Sequence, residues 1–253
     1  MWAASSTLRV DGMYVGVRSH PAHVDAALRR SLPTHLVDGV EAPANYSIRR
    51  EPGKGKGSDI YALFRAQCRL LGTRSLGRAL RGLLSSLSMH LEPEDERLPR
   101  IPCLAVIDGS SALLLPERFL PRLERIEARL NDLDLRLADP PYAALDPATG
   151  ELILQPPALK VVEDADDSGS PSAPSPGRYT VRTVGILHED TDIPLVGRDG
   201  LAALLPLLDG EPAPDAQRAA DAVARALQGA DVVPVWFGSD EKLLGRLRNE
   251  LRG

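Results

Sequence analysis

Cys103-Leu-Ala-Val-Ile-Asp-Gly-Ser-Ser-Ala-Leu-Leu-Leu115 holds two apolar runs, Cys103 to Ile107 and Ala112 to Leu115, around the dipeptide Asp108-Gly109. Asp-Gly is a favoured two-residue hairpin turn, because both positions tolerate positive φ. The pair therefore predicts two adjacent apolar strands joined by that turn. A helix follows, with Phe119, Leu120, Leu123, Ile126 and Leu130 inward, Arg and Glu outward, and Pro121 near the first turn, where a missing N–H is tolerated. Strand pair followed by amphipathic helix sets the expected class: mixed α/β.

Downstream, short strands are expected at Leu135 to Leu137, Tyr142 to Leu145 and Glu151 to Leu154, the last two joined by the turn Asp146-Pro-Ala-Thr-Gly150. Asp164 to Gly177, rich in Asp, Ser, Pro and Gly, has little to bury and reads as a flexible surface loop. Tyr179 to Leu187 alternates as a strand. Helices are predicted at Leu201 to Leu208 and Asp215 to Leu227, and a buried strand at Val232 to Phe237. Ser239 caps a closing helix striped by Leu243, Leu244, Leu247 and Leu251.

Upstream, Leu8 to Val17 carries Met13, Val15 and Val17 on alternate positions and reads as one strand. Ser19-His20-Pro21 opens a helix striped by Val24, Ala27, Leu28 and Leu32. Strands through Tyr46 and Ile48, and through Ile60, Ala62 and Phe64, flank the glycine-lysine stretch Gly53 to Ser58. A leucine-striped helix covers Leu76, Leu80, Leu83, Leu84, Leu87 and Leu91. Glu92 to Arg100, charged and bearing proline, marks a boundary. It separates a small α/β region over 1–95 from a larger one over 101–253. At 253 residues the chain suits one large domain or two small ones.

Composition narrows the function classes. Hydrophobic residues at 43% and charged ones at 26% are ordinary for a globular protein. A net charge of -5 argues against nucleic acid, which wants a dense basic face, although interleaved charges leave room for a local basic patch. The basic residues are nearly all Arg; Lys54, Lys56, Lys160 and Lys242 are the lysines, a balance that reads as codon usage in a GC-rich bacterial genome. No basic leader precedes an apolar stretch and no run reaches 18 apolar residues, so the chain is expected to be cytoplasmic and free of membrane. Cys68 and Cys103 both sit in apolar runs and are expected as buried free thiols.

The motifs of common chemistries are incomplete. Gly53-Lys-Gly-Lys-Gly-Ser58 lacks the spacing of a phosphate loop and leads into a strand, where no helix N-terminus can point N–H groups at an anion. His20 and His23, with Asp25, fall short of a zinc ligand set; His35, His90 and His188 have no partner at ligand spacing. Glu163, Asp164, Asp166 and Asp167 read as a solvated charge run. There is no Gly-x-Ser-x-Gly elbow, and Asp108 to Ser111 is explained as a turn.

From Ile101 onward, the order of pieces resembles the kinase core of HPr kinase/phosphorylase, a relative of the phosphoenolpyruvate carboxykinase nucleotide fold. The hairpin Leu104 to Leu115 looks like the strands leading to that family's phosphate loop. Glu117 to Leu130 looks like the helix after it, Leu135-Arg-Leu-Ala-Asp139 like the strand ending in its acidic pair, and Tyr142 to Leu154 like the following hairpin. The resemblance implies a mixed sheet flanked by helices. At the loop, however, this chain reads Leu115-Pro-Glu-Arg-Phe-Leu-Pro121, without glycine, lysine or hydroxyl, and Pro140 follows Asp139. Losing three charge-assisted hydrogen bonds costs about 5–9 kcal/mol, at least a thousandfold in affinity.

The expected function is therefore non-catalytic: a binding, regulatory or scaffold subunit beside a bacterial biosynthetic or modifying enzyme, with a protein partner or self-association and no cofactor. One alternative is an active kinase or phosphotransferase that binds Mg-ATP through Arg118, Arg122 and Asp139, with Arg125 nearby, because guanidinium forks grip phosphate. Against it, these arginines read as a solvated face paired with Glu124 and Glu127. Another alternative is a partner-binding module whose leucine-rich helices at 76–91 and 201–208 form an apolar groove.

Overall fold

The computed structural model describes residues 2–10, 12–53, 59–89, 98–101, 103–138, 143–154, 174–188, 195–204, 213–235 and 238–252. They fall into two compact units, each mixed α/β, the first holding the described residues up to 89 and the second those from 98.

In the first unit, β1 (Ala4–Val10) and β2 (Met13–His20) form a hairpin, with Val10 opposite Met13. The single strand expected over Leu8 to Val17 is thus two. Its centre, Asp11-Gly12, carries the same turn signal as Asp108-Gly109, and Gly12 has φ 83°. After β2 come α1 (Ala22–Ser31), β3 (Leu36–Val37) and β4 (Ala44–Glu51). β4 lies parallel to β2, the arrangement a helical crossover permits. β5 (Ile60–Arg65) and β6 (Cys68–Thr73) complete a sheet of order β3-β1-β2-β4-β5-β6, antiparallel except at β2/β4. The strand β6 adds to the expected set; its alternation is short and begins with the exposed polar end Cys68-Arg69. Cys68 is accordingly exposed rather than buried, whereas Cys103 is buried. α2 (Leu76–Met89) follows, and its stripe Leu80, Leu83, Leu84 and Leu87 is core rather than an open groove.

Both helices lie on one face of this sheet. The α1 carboxylate Asp25 accepts hydrogen bonds from Ser6 and Ser19, and the Tyr46 hydroxyl meets Ser86 of α2. Val17 pairs with Tyr46 and Ser19 with Ile48, so these positions share a side.

The second unit begins with β7 (Arg100–Ile101) and the hairpin β8 (Cys103–Asp108) and β9 (Ser111–Pro116), with Asp108 opposite Ser111 and Gly109 at φ 55°. The helix expected from Phe119 to Leu130 is broken into a 3-10 turn (Glu117–Phe119), α3 (Leu120–Arg125) and α4 (Glu127–Asp132). The break falls at Ile126, whose φ and ψ of -107° and 12° leave the helical region while its side chain stays in the core. Then come β10 (Arg136–Leu137), β11 (Ala143–Leu145), β12 (Leu152–Leu154), β13 (Gly177–Leu187), α5 (Gly197–Leu204), α6 (Ala213–Gln228), β14 (Asp231–Val235) and α7 (Asp240–Arg252).

The sheet order is β10-β8-β9-β13-β12-β11-β7, with β14 on β13. β13 is its axis. It runs parallel to β9 and to β14, and its first residues pair antiparallel with β12. β7 and β8 are one residue apart in the chain yet far apart in this order, so the sheet curls back toward itself. One face carries Cys103, Ala105, Ile107, Ala112, Leu114 and Val181 against Ala219, Ala222, Val223 and Ala226 of α6. The other face carries Leu104, Val106, Leu113 and Leu115, all buried, and there Thr183 donates to the Glu250 carbonyl of α7. Burial on both faces explains why β8 and β9 read as unbroken apolar runs.

Candidate functional site

The region that the sequence singles out is the junction where β9 passes into α3. Strand β9 ends on Pro116, and the 3-10 turn closes when the Leu120 N–H donates to the Glu117 carbonyl. Phe119 and Leu120 are both 0% exposed. The junction thus inserts two large apolar side chains into the core, flanked by two prolines that have no N–H to give.

The arginines beyond the junction face α7. Arg122 donates to Asp240 at 2.9 Å and to the Gly238 carbonyl. Arg125 donates to the same Asp240 oxygen at 2.8 Å, and Arg129 to Glu241 at 3.2 Å. The three recur at helical spacing across α3 and α4, and each reaches an acidic side chain at the start of α7. Asp240 and Glu241 occupy the first turn of α7, where the helix dipole favours negative charge. Ser239 begins that turn, as expected of a cap, accepting from the Lys242 N–H at 3.3 Å. Hydrogen bonds from Arg125 and Arg122 hold the Asp240 carboxyl below the usual range despite partial burial. Arg118 is exposed on the 3-10 turn, outside this row. Asp139 lies outside the described residues. The structure thus brings Arg122 and Arg125 onto one carboxylate that sequence spacing does not reveal, 118 residues away for Arg122.

Other polar clusters are structural in geometry. Asp146 begins the expected turn. It accepts from the Ala148 N–H at 2.8 Å and from Arg178 at 2.5 Å, and Arg178 holds its carboxyl down. Arg252 donates to Asp108 at 2.9 Å and to the Leu133 carbonyl at 2.7 Å, tying the end of α7 to the hairpin turn. In the first unit, burial raises the Asp25 pKa, but hydrogen bonds from Ser6 and Arg29 outweigh it and the net shift is downward. His23 meets the Tyr61 hydroxyl at 3.2 Å, whereas His20 ends strand β2, so the two histidines belong to different elements. Among the described residues no group of three His, Cys, Asp or Glu is placed to hold a metal ion. Lys54, Lys56 and the acidic run from Glu163 to Asp167 lie outside the described residues. Burial pushes the Cys103 thiol up to about 12, which leaves it protonated and unreactive.

No helix among the described residues is long and apolar enough to cross a membrane. No protein-family model matches the sequence, and neither a curated protein nor a solved structure matches the chain.

Proposed function

We propose that this chain works by binding rather than by catalysis, as a regulatory or scaffold subunit on a core like that of HPr kinase, in the cytoplasm of a bacterial cell. The observation that carries this reading is the β9–α3 junction. Phe119 and Leu120 fill it, Pro116 and Pro121 bound it, and Glu117 adds a negative charge where a phosphate would sit. Two of the arginine forks beside it are engaged as well: Arg122 and Arg125 are both held by Asp240, while Arg118 is exposed on the 3-10 turn. A phosphotransferase using Mg-ATP would need those guanidinium groups released, leaving Asp240 without its hydrogen bonds.

Isothermal titration of the full chain with Mg-ATP tests the reading. No heat of binding is expected up to millimolar nucleotide. Micromolar binding that depends on Mg²⁺ would overturn it and restore the phosphotransferase.

A further inference from the structure

The sheet of the first unit has a second face, turned away from α1 and α2. The positions that meet the helices are Ser6, Ser19, Tyr46 and, beside Gly82 of α2, Leu63 and Leu71. Strand side chains alternate, so the intervening positions point the other way. They include Arg9 and Tyr14, opposite each other in the β1/β2 hairpin. They also include a row across four neighbouring strands, Arg18, Ser47, Phe64 and Arg69, each paired with the next. Arg49 belongs to the adjoining row, between His20 and Ala62.

The face is strongly basic in a chain of net charge -5. It displays four arginines, and among its described strand positions Glu51 is the one acid. Glu51 is already shared, accepting from Arg49 at 2.7 Å and Arg69 at 3.5 Å. Arg9 and Arg18 are exposed and have no carboxylate partner among the described residues. The Arg49 guanidinium lies 4.5 Å over the Phe64 ring, which orients its fork and occupies the aromatic surface.

We propose that this face docks an extended acidic segment of a partner protein. Three observations fix that occupant. Guanidinium forks match carboxylates bidentately. Strands about 4.8 Å apart put Arg18 and Arg69 about 14 Å from each other, the span of four residues of extended chain. And Phe64, which a nucleic acid base would need as a stacking platform, is already covered by Arg49. A glutamate-rich strand laid across β2, β4, β5 and β6 meets Arg18 at one residue and Arg69 four residues on, and competes with Glu51 for Arg49 and Arg69. The proposal supplies the partner chemistry for the binding role above and rests on that reading for the existence of a partner.

Fluorescence anisotropy of a labelled octaglutamate peptide against the full chain tests it. Saturable binding that weakens with salt is expected. Arg18→Ala with Arg69→Ala should weaken it by about tenfold or more, with an unchanged circular dichroism spectrum. Glu51→Gln, which frees two forks, should tighten it. Absence of binding, undiminished binding in the double variant, or no tightening by Glu51→Gln would each overturn the proposal. A labelled eight-residue oligothymidylate that bound more tightly than the peptide would overturn it in favour of nucleic acid. Mg-ATP binding would sink the non-catalytic reading whatever the peptide does, and failure of the peptide would leave the β9–α3 argument intact.

Discussion

Arg122 on α3 and Asp240 on α7 meet at 2.9 Å, and this pair fastens the helix after the β9–α3 junction to the start of the closing helix. Its two arginine partners differ in exposure: the Arg122 side chain is 11% exposed and that of Arg125 55%. Removing the sheltered one leaves the Gly238 carbonyl and part of Asp240 without donors. Arg122→Ala should therefore cost about 1–3 kcal/mol, and Arg125→Ala less than about 1 kcal/mol. Urea unfolding of both variants measures the difference; equal losses would show that the pair is not a clamp.

Gly150 closes the turn opened by Asp146 and has φ 76°. A Cβ there would lie 2.4 Å from the Ala226 backbone nitrogen in α6. Both the left-handed backbone and this contact oppose any side chain. Gly150→Ala is expected to destabilise by about 2–4 kcal/mol, read as a lowered Tm. Gly109→Ala, equally left-handed at φ 55° but with open space around its Cβ, should cost about 1 kcal/mol. The contrast separates strain from crowding.

Asp240 is held down by Arg125 and Arg122, and Asp146 by Arg178 and the Ala148 N–H; Asp25 is raised by burial but lowered further by Ser6 and Arg29. A carboxyl whose folded pKa lies below its unfolded value binds its proton more readily in the unfolded chain. Its contribution is complete above about pH 3.9, the unfolded value for Asp, and disappears as the pH falls through the lower folded value. Stability should fall steeply below about pH 4, and Asp240→Asn should flatten that acid limb. Urea midpoints from pH 7 down to pH 2.5 check this; an unchanged acid limb in the variant would contradict the assignment.

The two cysteines should separate cleanly in reactivity. Cys68 is exposed, while Cys103 is buried with its thiol pushed up to about 12. The native chain should release one equivalent with a disulfide reagent and two after denaturation. Two fast equivalents in the native state would mean that β8 opens readily.

The sequence exposes this architecture unevenly, for identifiable reasons. β8 and β9 are legible because burial on both faces leaves an uninterrupted apolar run around Asp108-Gly109. α2 and α7 are legible because each buries a single leucine stripe. β6 is hidden by its exposed Cys68-Arg69 end and a register shift opposite Leu63 and Phe64. The break at Ile126 is hidden because its side chain keeps the helical stripe while its backbone leaves the helix. At the candidate site, Arg122 and Arg125 announce themselves by helical spacing, but nothing in that spacing points to Asp240. The only local signal for Asp240 is its place just after the cap Ser239.

The sequence by itself determines the class of this protein, the positions of its main helices, the Asp-Gly and Asp146 to Gly150 turns, and the two prolines, Pro116 and Pro121, that bracket the β9–α3 junction. Each of those depends on neighbours within a few residues, through periodicity, turn geometry or a missing N–H. Only the tertiary structure decides that β13 is the axis of the second sheet, that Arg122 belongs to Asp240, and that Arg9, Arg18, Arg49 and Arg69 share one face. Those are pairings between residues far apart in the chain, set by strand register and helix packing, and a change of one residue in register would turn each strand's arginines to the opposite side.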